Sequence, residues 1–188
     1  MPLHGGRQLV SIPRARLCSK RITIRGLKSL SVSRAILFGG LAVGTLDLLD
    51  AFIFFGIRSG AQPIGILHSI AAGVLGREAA RAGGVPTAIV GLFSHYLVAF
   101  SIVTVYVLMS LAMPLLRKQW FVCGLVFGAI AYFVMTWFVV PMSNAGNHQI
   151  TFALPVRPVM INGILIHAFG VGLPAAFFAS RADSRGRS

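Results

Sequence analysis

Acidic side chains are almost missing from this chain: Asp47, Asp50, Glu78 and Asp183 stand against 17 Lys and Arg. Charged residues of both signs reach only 11%. Soluble domains carry about 25%, so an ordinary water-soluble domain is excluded. With two cysteines, Cys18 and Cys123, neither a disulfide framework nor a four-cysteine zinc site can form. No HxxxH, HExxH or CxxC spacing occurs, so no metal site is expected. GxSxG, P-loop and strand-linked GxGxxG patterns are absent too, so neither an enzyme nor a bound cofactor is expected. The arm 1–34 holds eight Lys or Arg and no acid. It lacks the aromatic interleaving of a nucleic-acid binder, so no nucleic-acid partner is expected.

What fills the chain instead is apolar sequence, at 56% of residues. Four stretches are long enough to cross a bilayer, which takes about 20 residues: Ala35–Ile57, Pro86–Met113, Trp120–Val140 and Val159–Ala179. A fifth, Ile64–Gly76, has thirteen residues before Arg77 and Glu78. With Pro63 in its first turn and Gly83–Gly84 behind it, it predicts a helix over 63–82. That helix would be interfacial or re-entrant, with Glu78 and Arg81 spaced to pair. Four spans put thirteen Lys or Arg on the side of the N-terminus and four on the other; a fifth crossing would give eleven and six. The positive-inside rule favours four. The expected fold is an all-α integral membrane protein with four transmembrane helices plus one short helix. A disordered basic arm (1–34) and a tail (181–188) would both be cytoplasmic. The arm would meet anionic lipids at the bilayer surface. It also has the Arg- and Ser-rich, acid-free character of a mitochondrial import signal.

Two of the four acids fall inside the first span. On an insertion scale Asp47 and Asp50 together oppose insertion by about 5–7 kcal/mol, and the thirteen Leu, Ile, Phe and Val residues of the span favour it by about 4–8. Near cancellation means that this helix needs partner helices, water, a cation or protonation. Stripes of small and polar residues at helical spacing offer the seams: Gly40, Gly44, Asp47 and Ala51; Thr87, Gly91 and His95; Gly124, Gly128 and Ala131; Gly163, His167, Gly170 and Pro174. Small residues let helix backbones approach. Counted from the span ends at 1.5 Å per residue, Asp50, His167, Tyr132 and His95 lie about 10–13 Å deep and Asp47 about 15 Å. A shared layer of Asp47, Asp50, His95, His167 and Tyr132 is the candidate site. Its chemistry suits a proton relay or a small cation. The alternative is a non-transporting protein in which these residues only hydrogen-bond helices together. A four-span chain is small for a transporter, so the first reading also expects a homo-oligomer.

Three segments carry a resemblance: SHYLVAFSIVTVYVLMSLAMP (Ser94–Pro114), GLVFGAIAYFVMTWFVVPM (Gly124–Met142) and HAFGVGLPAA (His167–Ala176). They resemble the small four-span bacterial inner-membrane proteins of the YagU-like type. The shared features are a His opening the second span, a Gly-rich third span ending in Pro and a His in the last span. The resemblance implies a bacterial inner membrane and no particular activity; on the residues alone, a mitochondrial inner membrane is the alternative.

Overall fold

A computed structural model describes residues 30–150 and 152–183. The expected basic arm and tail fall outside the described residues except for 30–34 and 181–183. Four helices are long and apolar enough to cross a membrane: α1 (Val32–Ser59), α4 (Gly84–Ala112), α6 (Trp120–Met142) and α7 (Arg157–Ser180). Three shorter ones sit between them: α2 (Pro63–Leu75), α3 (Arg77–Ala82) and α5 (Pro114–Lys118). The protein is thus a polytopic helical membrane protein. Leu37, Ile53, Phe93, Leu97, Val126 and Ile130 are among the large apolar side chains on its outer face, where lipid replaces water.

Local chemistry sets the helix ends. Ser31 caps α1 by accepting from the Arg34 amide at 3.4 Å, as its hydroxyl suits it to do. Gly60 closes α1 in the left-handed region at φ 66°, its amide donating to Gly56 O, a conformation that costs glycine nothing. Met113, extended because Pro114 follows it, ends α4. Widened π turns at Met135–Val139 in α6 and His167–Gly172 in α7 each end two residues before a proline, Pro141 and Pro174. A proline ring clashes with the carbonyl four residues back. An extra residue in the preceding turn moves that carbonyl aside.

The segment 63–82 departs from the sequence expectation in two ways. The predicted single helix over 63–82 is two helices, broken at Gly76 (φ 82°, ψ 159°). A residue with a Cβ resists that backbone geometry. The expected Glu78–Arg81 pair is not formed; among the described residues the ion-pair geometry found is Asp47–His167.

The four long helices run alternately up and down in the lateral order α4–α1–α7–α6. They close tightly at the end where α1 begins. There Ala35, Val43, Val103, Tyr106, Val107, Ala175, Ala176 and Ala179 form the buried core. Leu30–Ser31 pairs in parallel with Ala182–Asp183 across that end. Arg117 donates to Ala182 O, and the Arg181 guanidinium lies 3.4 Å from the Phe177 ring centre.

Glycines mark the closest approaches. A methyl on Gly124 or Gly172 would overlap the backbone of the other helix, and one on Gly128 would strike His167 O. The α6 and α7 stripes therefore meet backbone to backbone. The α1 stripe meets rings: Gly40 faces Phe100 and Gly44 faces Tyr96. Gly91 admits the Leu67 backbone of α2, and Gly163 admits the Tyr132 ring. Gly170 faces Ile166 of its own helix.

At the opposite end α4 and α6 stand apart, and α2 bridges them. Its last turn is tied to the loop after α6: the Asn144 amide donates to Gly73 O (3.0 Å) and Asn144 Nδ2 to Val74 O (2.6 Å). Arg77 Nε donates to Ala145 O at 2.9 Å. The two Asn144 bonds satisfy carbonyls that a helix end leaves without intrahelical partners.

Candidate functional site

Because the bundle closes at one end and splays at the other, it encloses a cavity of about 790 Å³ among α1, α2, α4, α6 and α7. The walls are mostly aliphatic and aromatic. Asp47, His95, Tyr132 and His167 all line it. Asp50 does not. It lies on a separate recess with Ile53, Phe54, Arg58 and Asn162.

Asp47 projects from the buried side of α1 one turn beyond Gly44. Its Oδ1 is 3.8 Å from His167 Nδ1 on α7. That separation exceeds a hydrogen bond but is close enough for a carboxylate to govern an imidazole's proton. His167 opens the π turn of α7, and its ring stands edge-on to Tyr132, 5.5 Å between centres. Tyr132 is only 6% exposed. Its hydroxyl and His167 Nδ1 are buried polar atoms with no hydrogen-bond partner among the described residues. Buried polar groups are normally paired, so two such exceptions on residues that line one cavity set this wall apart from the rest of the bundle.

The other two candidates are engaged as cross-links. His95 Nε2–H donates to Gly44 O at 2.8 Å, pinning α4 to α1 where the absent side chain leaves room. Asn162 Nδ2 donates to Asp50 Oδ2 at 2.7 Å, pinning α7 to α1. The two acids, three residues apart, thus serve different neighbours. Among the described residues no three His, Cys, Asp or Glu side chains gather closely enough to hold a metal ion.

Several residues in or around the cavity have no signature in the sequence. His68 lines the cavity and donates from Nε2 to Gly84 O at 2.8 Å. Arg77 and Arg81, on an exposed helix, line it where it meets the surface. Asn144, in a loop without a recognisable pattern, fixes α2 in place. Their roles depend on how α2 crosses the mouth, which no residue spacing within α2 specifies.

No protein-family model, curated protein or solved structure matches the chain.

Proposed function

We propose that the protein exchanges protons at the Asp47–His167 pair, with Tyr132 as the neighbouring hydroxyl and the cavity as the route from one face. The observation that carries this is the 3.8 Å approach of Asp47 Oδ1 to a buried, unpartnered His167 Nδ1 on a cavity wall. A carboxylate and an imidazole in that relation can pass one proton between them. That is what a relay through a membrane requires. The cavity lies within one chain, so a second copy would duplicate the site rather than complete it.

The packing alternative keeps two residues. Asp50 and His95 each make a good interhelical hydrogen bond and are assigned to holding α1 against α7 and α4. The membrane is proposed to be a bacterial inner membrane with both termini cytoplasmic, following the charge distribution and the YagU-like resemblance.

Proton flux into proteoliposomes across an imposed pH gradient tests the assignment. Wild type and Asp50→Asn should conduct, while Asp47→Asn and His167→Gln should fall to the level of empty liposomes. Equal flux in wild type and Asp47→Asn would remove it.

A further inference from the structure

The rim of the same cavity carries chemistry that proton exchange leaves unused. Arg77 and Arg81 line it at the surface, while Glu78 between them does not. Nε of Arg77 is spent on Ala145 O, which fixes the stem and leaves the terminal nitrogens of the guanidinium for another acceptor. Guanidinium groups match carboxylate and phosphate oxygens in geometry as well as charge. Below the rim the wall is mostly apolar, through Phe55, Ile70, Ile102, Met135 and Val139, with Asp47, His95 and His167 among its polar members. At the floor stands Tyr132, whose hydroxyl is buried and has no partner among the described residues.

Depth can be read along α6. Ser143 sits beside Gly73 near the rim, and Tyr132 lies eleven residues earlier. At 1.5 Å per residue that is about 16 Å, a length that about a dozen methylenes cover. A volume of about 790 Å³ is within the range of pockets that enclose drug-sized molecules.

We propose that the cavity binds a single-chain amphipathic anion. Its carboxylate or phosphate head meets Arg77 and Arg81, and its chain runs down to an oxygen function at Tyr132. A cationic amphiphile is disfavoured because it would have to pass or face two arginines. This proposal builds on the cavity assigned above as the proton site, with the ligand as the species that accompanies the proton. A terminal hydroxyl on the chain would accept from Tyr132, giving its hydroxyl the partner it lacks among the described residues.

Calorimetric titration of the full chain in phosphatidylcholine nanodiscs, with 12-hydroxydodecanoate as the probe, tests this. Expected results are saturable binding at least tenfold tighter than that of 12-amino-1-dodecanol, and a tenfold or greater loss in Arg81→Gln. Tyr132→Phe should erase the preference for 12-hydroxydodecanoate over dodecanoate. Ile70→Trp, which fills the wall without touching either end, should abolish binding in protein that remains monodisperse. Equal or tighter binding of the amine would overturn the proposal, as would binding indifferent to Arg81 and to Ile70→Trp. Phosphatidylglycerol that displaces the probe would support the anion site and name a lipid as its source. Failure to displace would support it with a free acid as the source. Binding without proton flux removes the proton assignment and keeps this one; flux without binding does the reverse.

Discussion

The two ends of the bundle are made from different materials. Where α1 begins, the helices meet through Ala, Val and Gly, and Val103, Tyr106 and Val107 are fully buried. Where α1 ends, the same helices splay around the cavity, and hydrogen bonds from Asn144, Asn162, His68 and His95 join the close packing of α2 on α4 at Gly91. In a bilayer there is no hydrophobic drive between helices, so dense packing of small side chains supplies cohesion. The closed end can therefore carry the stability and leave the open end free to keep polar groups unpaired.

The sharpest way to break that contrast is a methyl group at each end. Gly172→Ala in the closed seam overlaps the Gly124 and Gly128 backbones, which cannot rotate away. A loss of about 1–3 kcal/mol is expected, read as a fall in unfolding midpoint in detergent. Gly73→Ala at the open end meets only Ser143 at ordinary contact distance. It should leave stability unchanged or raise it by up to about 1 kcal/mol through helix propensity. A milder pair lies on α4. Val103→Ala removes packing from a fully buried site and should cost roughly 1 kcal/mol or more. Val98→Ala only enlarges the cavity it lines and should stay within about 0.5.

Smaller effects sharpen the assignment of individual polar groups. Asp50→Ala leaves Asn162 without its acceptor and should lower stability by about 0.6–1.7 kcal/mol, the range of interhelical hydrogen bonds in membranes. Asp47→Ala, which breaks no hydrogen bond within the protein, should lower it by less. A reversed order in chemical unfolding would contradict the division of roles between the two acids. The smallest expected change is local. Asn144→Ala should speed amide hydrogen exchange in α2 and α3 while leaving α1 and the closed half of α7 as protected as before.

Much of this architecture can be seen in the residues alone. Long apolar stretches, the prolines at helix starts and the glycine stripes are local signals, and the four long helices extend only a few residues past their apolar cores, to caps such as Ser31 and Gly60. The break at Gly76 is hidden for a different reason. A glycine in an apolar stretch is compatible with a continuous helix, and the bonds that accompany the bent form, from Asn144 to the end of α2 and from Arg77 of α3 to Ala145 O, come from a distant loop. The Asp pair is subtler still. Three residues advance a helix by about 4.5 Å and leave the side chains about 60° apart. That places both acids on one face in projection, yet it is enough to give Asp47 to the cavity and Asp50 to Asn162. Tyr132 and His167 lie at about equal depth by residue counting, but that they touch depends on Gly163 admitting the ring.

The π turn at His167–Gly172 makes the last helix a device with two independent phases. One residue more than an α-turn needs is lodged there, so everything before it is rotated by about 100° relative to everything after it. Deleting a single residue from this turn would leave Ala175, Ala176 and Ala179 seated in the closed end while swinging His167 and Asn162 away from Asp47 and Asp50. An insertion or deletion of one codon could thus rewrite the polar face of the cavity without disturbing its anchor. In this protein the length of one turn decides which side chains meet the acids.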